Sequence, residues 1–154
     1  MLRLLLAQDG STTRLCEAVA GGPVELRVLR QQSSQDVPAV VRRHLSGSRF
    51  IERITLLAAH GQVLMDNLSY VALQGLEGHI ERDLIEGRTP IGHLLSRWWT
   101  RREPLDPIDE LSARLWGTVG TPDASATRCY RIVSPEGPRM LITETYRRGL
   151  WMLD

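Results

Sequence analysis

Two charged side chains interrupt otherwise apolar runs. Arg53 sits in Phe50-Ile51-Glu52-Arg53-Ile54-Thr55-Leu56-Leu57, and Glu144 in Met140-Leu141-Ile142-Thr143-Glu144-Thr145-Tyr146. A guanidinium fork binds a carboxylate bidentately, and a positioned glutamate can accept a hydroxyl or move a proton. On strict strand alternation, Phe50, Glu52 and Ile54 share one face, and Ile51, Arg53 and Thr55 share the other. The alternation leaves open which face is inside. Strand charges usually face solvent, so period and composition alone favour outward-pointing charges or a mutual salt bridge.

Other reactive patterns are sparse. No glycine-rich phosphate loop of either common type is present, and no serine lies in a nucleophile-elbow context. His44, His60, His79 and His93 show no i,i+4 spacing of a helical zinc site. His60 reads as a turn residue and the others as occupants of solvated helix faces. Trp98-Trp99 reads as one core residue beside a partly exposed one. Arg97, Arg101 and Arg102 read as a solvated face carrying C-terminal helix charges rather than an anion site. Cys16 and Cys129 have neither metal-ligand spacing nor a disulfide pattern, and read as buried free thiols in a reducing compartment.

The chain has 154 residues, 42% of them hydrophobic and 24% charged, as in an ordinary soluble protein. Its 19 basic and 18 acidic residues nearly balance, which gives no reason to expect nucleic acid or an anionic membrane as a partner. The apolar start at Leu2–Ala7 is too short for a signal peptide. No stretch approaches the roughly 20 apolar residues that cross a bilayer. The expectation is one cytoplasmic domain over 1–154, as a monomer or small homo-oligomer.

The elements that must position Arg53 and Glu144 follow from periodicity. Ser11, Thr12 or Thr13 can cap a short helix that Gly21-Gly22-Pro23 ends. Val24–Val28 alternates like a half-buried strand, and 31–47 reads as a loop with a helical turn at 38–45. Arg49–Ala59 and Gln62–Leu73 flank His60-Gly61 as a hairpin and form the centre of the sheet. Gly75–Glu86 is helical. Thr89-Pro90 starts another helix, a capping hydroxyl with proline next, running to about Trp99. Residues 101–126 read as irregular, with 108–116 as a candidate helix. Thr127–Ser134 and Arg139–Tyr146 are strands. The order argues an α+β domain, a mainly antiparallel sheet with helices on one face.

Four segments taken together resemble the chorismate pyruvate-lyase family. Leu4–Leu15 is similar to the family's opening, an apolar run followed by an acidic-small-threonine segment and a basic helix. Ser48–Gly61 resembles its central strand and turn. Arg88-Thr89-Pro90-Ile91-Gly92-His93-Leu94-Leu95 is similar to its Thr-Pro-Leu-Gly helix start, and Met140–Glu144 to its closing Leu-Leu-Thr-Glu strand. The blocks fall in the family's order across almost the whole chain. Met65-Asp66-Asn67-Leu68-Ser69 lacks the arginine of the enterobacterial branch and looks closer to the actinobacterial one. Thr12 stands where the family usually has methionine, and Ile91 where it has leucine.

The resemblance implies a chorismate lyase-like fold, and conversion of chorismate into 4-hydroxybenzoate and pyruvate without metal or redox cofactor. It implies that Arg53 binds a substrate carboxylate and that Glu144 meets the ring hydroxyl. It also implies that backbone N–H groups near Ile91 and Gly92 hold substrate oxygen, and that Thr12 lines the pocket. Two alternatives share the fold. One is a small-molecule sensor without chemistry, like the effector domains of one bacterial regulator family. The other is an enzyme giving a different hydroxybenzoate. Such regulators carry a helix-turn-helix domain before the sensor. With about ten residues before Ser11, the expectation is that no such domain is present, and Thr143-Glu144 also favours the enzyme.

Overall fold

The computed structural model describes residues 2–95 and 98–151. Its centre is a six-stranded antiparallel sheet: β1 (Glu25–Ser34), β2 (Phe50–Ala59), β3 (Gln62–Ala72), β4 (Arg101–Leu105), β5 (Thr127–Ser134) and β6 (Gly137–Tyr146). The spatial order is β1-β2-β3-β6-β5-β4. The β2–β3 hairpin turns at His60 and Gly61, whose φ values of 50° and 76° suit a tight two-residue hairpin turn. The His60 ring reaches back to the Ala20 carbonyl at 2.9 Å.

Both faces of the sheet are covered. Phe50, Ile54, Leu68, Tyr70 and Leu141 pack beneath α3 (Ala39–His44) and α6 (Asp109–Val119). On the opposite face Ile51, Val71, Ile132, Met140 and Ile142 meet α4 (Gly78–Glu86) and α5 (Ile91–Leu95). Leu57, Met65 and Tyr146 on that face meet α1 (Leu2–Ala7) and α2 (Thr12–Ala20). The expectation of helices on one face thus describes four of these helices, and α3 and α6 take the other side. Among the described residues, no helix is long and apolar enough to cross a membrane.

Double coverage explains why alternation could not choose an inside for β2. Glu52 and Arg53 are adjacent, point to opposite faces, and are 2% and 1% exposed. Under α6 the Glu52 carboxylate accepts from the Tyr70 hydroxyl at 2.7 Å and from Arg114 Nε at 2.8 Å, and Arg30 lies 3.3 Å away. Burial and this carboxylate together push the Tyr70 hydroxyl well above its usual range.

Several boundaries differ from the sequence reading. β1 continues through 31–34, where polar residues pair with β2 along the sheet's edge. Residues 101–105 form edge strand β4, joined to β5 despite Pro104. Proline is tolerated on an edge because no inner ladder requires its missing N–H. α5 is described over Ile91–Leu95 and Trp98 lies in a bend, so the helix does not reach Trp99. Residues 96–97, including Arg97, lie outside the described residues. Trp98 packs against the core while Trp99 is 75% exposed, the division expected of that pair.

Candidate functional site

Arg53 and Glu144 share one sheet face. The ladders align Arg53 with Ser69 and Ile142, and Thr55 with Asn67 and Glu144. Arg53 and Glu144 are therefore two strands apart and offset by two residues, a Cα separation of ~12 Å from standard strand spacings. Thr55, Asn67 and Ile142 lie between them, on the floor of a cavity. The five residues singled out from the sequence, Thr12, Arg53, Ile91, Gly92 and Glu144, all line this cavity. Arg53 and Glu144 are neither outward-facing nor paired with each other, in contrast to the expectation from pattern alone.

Arg53 is held by backbone. Its Nη1 donates to the Thr89 carbonyl at 3.1 Å and its Nη2 to the Gly87 carbonyl at 2.8 Å, the two carbonyls that lead into α5. Its Nε is buried without a hydrogen-bond partner. Burial with no carboxylate alongside lowers its pKa to about 10. The guanidinium is thus a desolvated cation with donor capacity in reserve, as a carboxylate anchor requires.

Glu144 is built into a cluster that the sequence reading missed. Its Oε1 accepts from Arg128 Nε at 2.7 Å and from the Thr12 hydroxyl at 2.9 Å, and Arg128 Nη2 lies 2.7 Å away. Its Oε2 accepts from the Tyr130 hydroxyl at 3.1 Å. The Tyr146 hydroxyl lies 3.4 Å from Oε1 and 3.1 Å from the Leu5 carbonyl. Arg128 Nη1 donates to the carbonyls of Leu5, Leu6 and Gln8, so one arginine ties the end of α1 to the buried carboxylate. Burial first, and the Glu144 charge second, raise the Tyr130 hydroxyl above its usual range and Tyr146 to about 12. Both phenols therefore stay protonated donors at neutral pH. Arg128 and Tyr130 carried a signal: with Ile132 they occupy alternate positions of β5, and Arg128 pairs in register with Glu144.

Two helix starts close the cavity. Ser11 Oγ accepts from Arg14 N at 3.3 Å and caps α2, which leaves Thr12 and Thr13 in the first turn facing the site. α5 opens at Pro90, whose carbonyl accepts from His93 N and Leu94 N. The first N–H groups of a helix lack intrahelical partners, so those of Ile91 and Gly92 remain available for an oxygen. Gly92 is packed against α2: a Cβ there would stand 2.6 Å from both Ser11 Oγ and Thr13 Oγ1. Arg102 corrects the expectation of a solvated helix face. It lies on β4, lines the cavity, and stacks its guanidinium 5.6 Å from the Tyr130 ring centre.

Known proteins resemble this chain in sequence and in fold. A chorismate pyruvate-lyase from Mycobacterium leprae (strain TN) is 27% identical over 158 aligned residues, covering 97% of this chain and 75% of that protein. A GntR-family transcriptional regulator structure from Bacillus cereus shares the fold with a TM-score of 0.50 at 10% identity, over 80% of this chain and 90% of that one. Residues 6–152 match the family described as chorismate pyruvate-lyase Rv2949c-like, and the chain belongs to that family.

Proposed function

We infer that the protein converts chorismate into 4-hydroxybenzoate and pyruvate. The observation that supports this reading best is the placement of Arg53 and Glu144 two strands apart on one sheet face, both lining one cavity. Chorismate carries its ring carboxylate and its hydroxyl on opposite ring carbons, 1 and 4. Arg53 takes the carboxylate through its uncommitted donors, and Glu144 Oε2 accepts the 4-hydroxyl beside Tyr130.

The reaction is an elimination. The bond from ring carbon 3 to the ether oxygen breaks and its electron pair leaves with enolpyruvate. A proton leaves carbon 4, and its C–H electron pair becomes the new ring double bond. The ring becomes aromatic as 4-hydroxybenzoate, and the enol takes up a proton to become pyruvate. Aromatisation drives the step, so the protein's contribution is positioning and fixed charge. Arg128 holds the Glu144 carboxylate through Nε and Nη2, in place to receive the carbon 4 proton directly or through water. The N–H groups of Ile91 and Gly92 hold an oxygen of the dianion.

The test is incubation of purified protein with chorismate and measurement of both products. Equal amounts of 4-hydroxybenzoate and pyruvate support the reading, with Glu144→Gln expected to slow turnover and Arg53→Ala to raise KM. A different hydroxybenzoate with pyruvate would overturn the product assignment. Thermal stabilisation by chorismate without turnover would instead favour the sensor reading.

A further inference from the structure

Arg53 is not the cavity's single cationic donor in reserve. Among the described residues, two arginines that line the cavity, Arg53 and Arg102, each have a buried Nε with no hydrogen-bond partner. Arg102 approaches from another side. It pairs in register with Ile132 on edge strand β4, and its Nη1 donates to the Asp9 carbonyl at 3.1 Å. Together with Gly92 and Leu95 it also lines a neighbouring outer cleft that includes Arg14 and Trp98. Arg53 is thus the fully buried cation, and half-buried Arg102 stands where the cavity meets that cleft.

Ring geometry says what would reach it. With the ring carboxylate on Arg53 and the hydroxyl on Glu144, the carbon next to the hydroxyl-bearing one carries the leaving group. Tyr130 donates to Glu144, and Arg102 lies over the Tyr130 ring. A ring turned so that the substituent beside the hydroxyl lies on the Tyr130 side brings that substituent to Arg102.

We propose that Arg102 is the second carboxylate anchor of the site, binding the carboxylate of the departing three-carbon group. It selects a dicarboxylate over a monocarboxylate of the same ring. This rests on the chorismate reading for its ligand pose. Charge pairing at the cavity mouth also keeps the leaving group on the side open to the cleft, so the smaller product departs outward.

The experiment compares binding of two unreactive aromatic ligands by calorimetry. One is a benzoate with a carboxyvinyloxy group meta to its carboxylate. The other is the same benzoate with an isopropenyloxy group, which lacks the second carboxylate. Wild type is expected to bind the dicarboxylate more tightly. Arg102→Gln is expected to lose about 10- to 100-fold on the dicarboxylate and little on the monocarboxylate. Arg53→Gln is expected to weaken both, and Arg102→Lys to restore part of the loss. Equal losses on both ligands in Arg102→Gln would assign Arg102 a structural role and overturn the proposal, as would no loss at all. Dicarboxylate selectivity that depends on Arg102, in a protein that leaves chorismate intact, would sink the lyase reading and keep the anchor. A wild type that binds neither ligand would overturn both.

Discussion

Arg128 and Glu144 stand directly opposite each other on β5 and β6, and the guanidinium meets the same carboxylate oxygen through both Nε and Nη2 at 2.7 Å. Side-chain exposures of 11% and 1% put the pair in a low-dielectric setting. Breaking a buried pair from one side strands the other charge. Arg128→Leu is expected to cost about 3–5 kcal/mol in urea unfolding. The double variant Arg128→Leu/Glu144→Leu should recover much of that stability while remaining inactive. A single variant as stable as wild type would show that the carboxylate does not need its cation.

Arg53 carries the opposite balance. Its folded pKa of about 10 lies below the ordinary arginine value, so the unfolded chain holds this proton more tightly than the fold does. The resulting destabilisation is complete below about pH 10 and disappears as the pH rises from there to the ordinary arginine value. Arg53→Met therefore should not lower Tm at neutral pH in the unliganded protein. It should raise KM for chorismate about 10- to 100-fold through the lost carboxylate contact. A marked fall in Tm would mean that the bonds to Gly87 and Thr89 outweigh the buried charge.

Two glycines separate site geometry from scaffold. A Cβ on Gly149 would stand 2.4 Å from the Val63 carbonyl oxygen, a backbone atom with little freedom to move. Gly149→Ala is expected to lose about 1–3 kcal/mol of stability, as overpacking does. A Cβ on Gly92 would meet the Ser11 and Thr13 hydroxyls, which can rotate, although Thr13 Cβ at 3.0 Å also resists. Gly92→Ala should therefore reduce kcat/KM more than Tm by separating the two helix starts. The reverse ranking in a paired melting and kinetic comparison would refute this division.

Burial pushes the Cys16 thiol up to about 12 and raises Cys129 as well. Neither carries appreciable thiolate at pH 8, and both are buried. A thiol reagent at that pH should label no cysteine in the native protein and two after guanidinium denaturation. Rapid labelling of the native protein would contradict the packing around α2 and β5.

The inner strands were legible because β2, β3, β5 and β6 have long β-branched or apolar runs bounded by turn residues. β4 was not, because Arg101-Arg102-Glu103-Pro104 has no apolar alternation and its strand character comes from pairing with β5. Arg53 and Glu144 stood out as charges within apolar strands. Their orientation did not, because a sheet buried on both faces removes the polar-out signal. Arg128 stayed hidden because its role is set by a cross-strand partner 16 residues away. Arg102 looked like a helix-end charge because the neighbouring helix was expected to run too far.

The opposed burial of Glu52 and Arg53 also bears on how β2 finds its place. A slip of one residue would exchange their faces. A slip in one direction would bring Glu52 to the electronegative carbonyls of Gly87 and Thr89, and a slip in the other would drive Arg53 toward Arg114 and Arg30. Apolar neighbours would tolerate such a slip, since both faces of this strand are greasy. The charge doublet does not, so it favours the native register over a one-residue slip.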